Sequence, residues 1–129
     1  MVGIVIVSHS EKLADGVLDA TKIMADGCSI AIAGGADDGG YGTSFEKIKS
    51  AIESVYSSDG VLVLVDMGSA VMTTEMVIED LGYDNVVMVD CPIAEGAVAA
   101  SLSALCGDNL EIVKEQAVSG GREPKWREN

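Results

Sequence analysis

The chain contains a single histidine, His9, placed where an apolar run ends and a helix is expected to begin. The approach, Val2-Gly3-Ile4-Val5-Ile6-Val7, reads as a fully buried strand. Ser8-His9-Ser10-Glu11 has the S-x-x-E form of a capping box, which predicts Ser8 as N-cap and His9 as the first helical residue. An imidazole at the carboxyl end of a strand, beside unpaired helix N–H groups, can serve as nucleophile, acid, base or ligand. It can equally be a solvated residue at a helix start. Asp66 follows the third apolar run as His9 follows the first, and Met67-Gly68-Ser69 leads into another helical segment. If those two strands are neighbours, Asp66 accepts a hydrogen bond from one ring N–H, sets the tautomer and leaves the opposite nitrogen as a lone-pair nucleophile. The plainer role for Asp66 is a helix cap.

Around this pair stand the candidate phosphoryl-binding groups, which are the hydroxyls of Ser10, Thr43 and Ser69 and the N–H groups of Gly68 and Ser69. The loop from Gly34 to Ser44 is rich in glycine but lacks the G-x-x-x-x-G-K-[ST] pattern, and Asp37 and Asp38 would repel a nucleotide. It is expected to be a flexible flap or contact loop near His9, or else a turn-rich connection. Thr43-Ser44-Phe45-Glu46 repeats the capping-box form at its end. A site of neutral donors with few cations suits one phosphoryl group carried on a histidine nitrogen, a species whose transfer needs positioning above all. Lys12 is the base nearest His9 in sequence, which suits a relay that must release its phosphate. No G-x-S-x-G elbow supports a Ser-His-Asp triad, and no ligand spacing supports a metal site, so none is expected.

Four apolar runs, near 2–7, 28–33, 60–65 and 85–89, must position these residues. Between them lie segments of helical period carrying Leu13, Val17, Thr21 and Met24, then Phe45, Ile48, Ile52 and Val55, then Val71, Met72, Met76, Val77 and Leu81. A fourth helix follows Pro92, and a short fifth is expected to start at Asp108, where Asp108-Asn109-Leu110-Glu111 can cap it. The alternation predicts an α/β fold with a mostly parallel four-stranded sheet. Spacing does not fix the strand order, and the doubly wound order 2-1-3-4 is the natural choice because it puts helices on both faces and leaves a switch point between strands 1 and 3. That order sets the ends of strands 1 and 3 side by side. The small residues of the fourth helix, from Ala94 to Ala104, fit either tight packing or a self-association surface.

With 129 residues the chain makes one domain, expected over 1–118, with 119–129 as a flexible tail. Aromatics are scarce, so Ala, Val, Ile, Leu and Met are expected to fill the interior. The net charge of −13 disfavours nucleic acid and anionic membranes as partners. It fits a partner protein with a basic face, or simple solubility. Three cysteines without C-x-x-C spacing argue against a disulfide scaffold or a zinc site. With no signal-peptide pattern and no apolar run of membrane-spanning length, a cytoplasmic protein is expected.

Several motifs recur in order: Val7-Ser8-His9-Ser10 with Leu13-Ala14-Asp15-Gly16, Gly34-Gly35-x-Asp37-Asp38-Gly39 running to Gly42-Thr43-Ser44, Asp66-Met67-Gly68-Ser69-Ala70, and Cys91-Pro92-Ile93-Ala94-Glu95-Gly96-Ala97. Together they resemble the phosphocarrier subunit of the phosphotransferase-system-dependent dihydroxyacetone kinase. More distantly the pattern is similar to the IIA domains of mannose-class sugar phosphotransferase systems. The resemblance implies a four-stranded α/β domain, usually a homodimer. It implies that His9 accepts a phosphoryl group from the carrier protein HPr and passes it to ADP held on the nucleotide-binding kinase subunit, with phosphoenolpyruvate as original donor. No cofactor is then bound by this chain directly. Asp66, Ser69 and Thr43 match positions beside the family's histidine. A sugar-transporting IIA domain, which would phosphorylate a IIB domain instead, is the alternative within the same chemistry. A non-enzymatic flavodoxin-like binding module is the alternative outside it, disfavoured by His9 in place of an acidic cluster and by the few aromatics.

Overall fold

The computed structural model describes residues 1–127. Its elements run β1 (Gly3–Ser8), α1 (Glu11–Met24), β2 (Ile30–Gly34), α2 (Phe45–Val55), β3 (Val61–Val65), α3 (Gly68–Leu81), β4 (Val86–Val89), α4 (Ile93–Leu105) and α5 (Leu110–Arg122). The four strands form one parallel sheet in the order β2-β1-β3-β4, the doubly wound order chosen above. Ser8 pairs with Gly34, and Val7 with Val65, so β1 and β2 end level and β3 ends one residue short of them. His9 and Asp66 each stand one residue beyond the end of their own strand.

Strand residues alternate between two cores because successive side chains point to opposite faces. Ile4, Ile6, Leu62 and Leu64 join a cluster with Val17, Ala97, Ala100, Val113 and Ala117, on the face covered by α1, α4 and α5. Val5, Val7, Val61 and Val63 join Ile48, Ile52, Ala70 and Val77, on the face covered by α2 and α3. The largest fully buried side chains are all Ile, Leu or Val; methionine does not join them. Met24, Met72 and Met76 instead face solvent. In α3 the buried residues are Ala70, Thr74 and Val77, which lets that helix lie close on the sheet and turns Met72 and Met76 outward.

Helix starts differ from expectation in three places, each by one or two residues. Ser10, not Ser8, caps α1, its hydroxyl accepting from Leu13 N–H at 3.2 Å. Ser8 is the last residue of β1 and wholly buried, so it cannot swing to a helix start, and His9 falls in the linker rather than on the helix. Ser44 rather than Thr43 caps α2, and Asn109 caps α5. At the other end of α5 the helix continues to Arg122, so residues 119–122 are helical where a tail is expected. Gly120 and Gly121 make this possible: a Cβ on Gly120 would lie 2.5 Å from Ala99 Cβ, and one on Gly121 2.9 Å from Pro92 Cδ. Residues 128 and 129 of the expected tail lie outside the described residues. The small residues of α4 are used in packing, six of them buried against the sheet and α5. Among the described residues no helix is long and apolar enough to cross a membrane.

Candidate functional site

Strand register brings His9 to Asp66. The imidazole Nδ1 lies 2.6 Å from Asp66 Oδ2. The same carboxylate accepts from the His9 backbone N–H at 3.2 and 3.3 Å and from Ser8 Oγ at 2.9 Å. Asp66 is only 7% exposed while the His9 side chain is 28% exposed, so the acceptor is shielded and the ring still meets solvent. A carboxylate only accepts, so in the neutral imidazole Nδ1 carries the proton and Nε2 presents its lone pair. Ser8 completes the arrangement by accepting from Ser10 N–H at 3.0 Å while donating to Asp66. Its role is hidden in the sequence, where S-x-x-E spacing points to a cap instead.

The remaining candidates divide. Gly68 and Ser69 open α3, whose N-cap Met67 supplies no side-chain hydrogen bond. Their N–H groups therefore have no acceptor among the described residues and form an anion-attracting helix start next to Asp66. Asp66, Met67 and Gly68 line an open pocket of about 460 Å³, closed on its far side by Met88, Val89 and Asp90. Ser10 is committed to capping α1, with its N–H already donated to Ser8. Thr43 Oγ1 pairs with Thr73 Oγ1 at 2.9 Å and so ties the start of α2 to α3, a role its position in the motif does not announce.

The glycine-rich loop is a braced structure near His9. Gly42 N–H donates to the His9 carbonyl at 3.0 Å, and the Lys47 ammonium donates to Gly34 O and Ala36 O at 3.0 and 2.9 Å. Asp37 accepts from the Ser44 hydroxyl, so one of the two loop carboxylates is used internally. Tyr41 stacks beside the imidazole with ring centroids 5.9 Å apart. Nothing in the loop's spacing singles that residue out. Arg122 is also missed: its guanidinium donates to the Asp90 carbonyl at 3.3 Å, on the rim of the pocket, because α5 runs further than expected. Among the described residues no group of three or more His, Cys, Asp or Glu is placed to hold a metal ion.

A gripped imidazole that still meets solvent, with free backbone donors at the helix start that follows Asp66, can take a small anionic group onto Nε2. Known proteins share this chain's sequence and fold. Residues 3–114 match the EIIA-man family, described as the PTS system fructose IIA component. The chain is 42% identical over 120 residues to the phosphoryl donor subunit DhaM of PEP-dependent dihydroxyacetone kinase from Escherichia coli K12, covering 88% of this chain and 25% of that protein. It thus spans about a quarter of the length of that longer relative. It is 40% identical over 111 residues to the phosphoryl donor subunit DhaM of PEP-dependent dihydroxyacetone kinase 1 from Listeria innocua, covering 86% of this chain and 88% of that one. The crystal structure of EF1359, a protein of unknown function, superposes with a TM-score of 0.84 at 27% identity, covering 98% of this chain and all of that one. The chain belongs to the EIIA-man family, with the DhaM phosphoryl donor subunits of PEP-dependent dihydroxyacetone kinase.

Proposed function

We propose that this chain is the phosphohistidine relay of a phosphotransferase-system-dependent dihydroxyacetone kinase, with His9 Nε2 as the acceptor atom. The observation that carries the reading is the 2.6 Å contact between His9 Nδ1 and the shielded Asp66 carboxylate. In the first transfer the Nε2 lone pair attacks the phosphorus of a phosphohistidine on HPr. A P–Nε2 bond forms, the donor P–N bond breaks, and its electron pair stays with the departing imidazole. In the second, a β-phosphate oxygen of ADP on the nucleotide-binding subunit attacks phosphorus. The P–Nε2 bond breaks and its pair returns to His9. Through both steps Nδ1–H stays on Asp66, which offsets the positive charge the ring gains when phosphorylated.

The N–H groups of Gly68 and Ser69 and the Ser69 hydroxyl receive the phosphoryl oxygens, while Ser10 and Thr43 hold the surrounding helices. Neutral donors favour a group that must leave again, since transfer depends on positioning more than on tight capture. Phosphoenolpyruvate is the original donor, and HPr, the ADP-bound subunit and a second copy of this chain are the partners, in the cytoplasm. This chain binds no cofactor itself.

Incubation with enzyme I, HPr and phosphoenolpyruvate is expected to add one acid-labile phosphate per chain, absent in His9→Ala. Adding the ADP-loaded kinase subunit should discharge it with formation of ATP. Failure of intact protein to take up phosphate overturns the proposal. Discharge onto a IIB domain but not onto ADP would make the protein a sugar-transport IIA domain.

A further inference from the structure

We infer that Tyr41 is a positioning residue for the His9 ring, and that Lys47 holds it there; the inference rests on His9 as the phosphoryl acceptor. Asp66 grips the imidazole at one edge through Nδ1. A single hydrogen bond fixes that nitrogen but leaves the ring free to tilt about the N–H···O axis. In-line transfer places a directional demand on the opposite edge, because the Nε2 lone pair lies in the ring plane and must point along the forming P–N bond. Something must fix the tilt.

Tyr41 is the group that meets the ring face. Its centroid is 5.9 Å from that of His9 with the planes 28° apart, within the range of offset aromatic pairs. Yet Tyr41 is 84% exposed, so burial does not explain its placement. The backbone beneath it does. Gly35, Gly39 and Gly42 all adopt positive φ, at 75°, 85° and 136°, which folds the segment into tight turns. Ala36 N–H donates to Gly40 O at 2.9 Å and Gly39 N–H to Ala36 O at 3.0 Å. Gly42 N–H, one residue past Tyr41, donates to the His9 carbonyl. The whole turn is closed by Lys47, whose ammonium bonds two loop carbonyls at once, Gly34 O and Ala36 O. Lys47 belongs to α2, so the helix that packs on the sheet also sets the tyrosine over the imidazole. The phenol hydroxyl has no part in this; the ring face is what acts.

The test uses the full chain with Tyr41→Phe, Tyr41→Ala, Lys47→Met and the Tyr41→Ala/Lys47→Met double variant, read in two ways. His9 is the sole histidine, so its Hδ2 and Hε1 NMR signals are unambiguous reporters of a neighbouring aromatic ring. Tyr41→Ala and Lys47→Met should move both signals in the same direction, and Tyr41→Phe should leave them in place. In transfer from phosphorylated HPr, Tyr41→Ala should lower kcat about 2- to 12-fold, the worth of one aromatic pair, with KM for HPr unchanged. Tyr41→Phe should retain the full rate, and the double variant should be no slower than Tyr41→Ala alone. Three results overturn the inference: imidazole signals in Tyr41→Ala that coincide with those of Tyr41→Phe, a KM rise with kcat intact, or multiplying rate losses in the double variant. Should Lys47→Met fail to fold, the exposed Tyr41 substitutions decide alone. If His9 accepts no phosphate from any donor, the relay reading is what has failed, and the imidazole signals still decide whether Tyr41 and Lys47 set the ring.

Discussion

Strands β1 and β3 lie side by side, and each enters a helix through a two-residue linker, His9-Ser10 after Ser8 and Asp66-Met67 after Val65. At the first linker nearly every polar group is engaged. Ser8 O accepts from Gly35 N–H, Ser8 Oγ bonds both Ser10 N–H and Asp66, Ser10 caps α1, and the His9 backbone donates to Asp66 and accepts from Gly42. At the second linker the helix start is left open. Met67 gives no cap, and the N–H groups of Gly68 and Ser69 find no acceptor among the described residues. The saturated junction holds a ring still. The unsaturated one keeps donors available for an anion, at the cost of a weaker helix start.

Exchanging the acceptor that joins the two junctions should have the largest effect. Asp66→Asn keeps the shape but loses the charge that holds Nδ1–H and balances a phosphorylated ring. Phosphoryl uptake from HPr, followed by quenched flow, is expected to fall about 100-fold or more. A rate within threefold of the parent would mean that the carboxylate is merely structural. The open junction is tested next by Gly68→Pro. Gly68 is the first residue of α3, where proline fits, Met67 before it is already extended (φ −144°, ψ 164°), and beyond its chain neighbours and its own helix backbone nothing lies within 4 Å of a Cβ there. The substitution removes one N–H and little else. Transfer should slow about 10- to 100-fold with the melting temperature held or raised, while Gly68→Ala leaves both near the parent values. Equal rates for the two variants would remove the helix start from the site.

The sheet was the most legible part of this molecule, because continuous apolar, β-branched runs separated by helix-length segments permit few topologies. The pairing of His9 with Asp66 followed from strand order alone. Which serine caps α1 did not follow: Ser8 and Ser10 both suit a cap, and the choice is made by strand pairing with Gly34, which buries Ser8. Met72 and Met76 looked like core by spacing, yet close approach of α3 required Ala70 and Thr74 on the inner face. The loop read as a flap, a contact loop near His9 or a turn-rich connection, since glycines permit all three, and it is in contact with His9. Its bracing comes from Lys47, a residue on the following helix whose two carbonyl partners are set only by the folded chain.

The saturated junction is sharpened by Ser8→Ala, a smaller change than Asp66→Asn. Loss of the hydroxyl leaves Ser10 N–H without its acceptor and Asp66 with one donor fewer, in a wholly buried position. Urea unfolding should show a loss of about 1–3 kcal/mol, and transfer should slow less than in Asp66→Asn. Stability unchanged within about 0.5 kcal/mol would show that the dense bonding at this junction contributes nothing net.

The smallest effect concerns the pocket's far wall, where Cys91 follows Asp90. Burial, then the Asp90 carboxylate, push its thiol up to about 11 from an ordinary 9.0, with Arg122 opposing weakly. A thiol whose folded value is raised adds stability that is complete below the unfolded value, near pH 9, and is lost as pH climbs through about 11. The parent protein should therefore lose stability over that window faster than Cys91→Ala does. Cys91 is buried and Cys106 exposed, so at pH 8 a thiol reagent should label Cys106 first and leave Cys91 unmodified until the chain opens. Labelling of both at equal rates would mean that the β4 end is open to solvent and that burial does not hold the Cys91 thiol up.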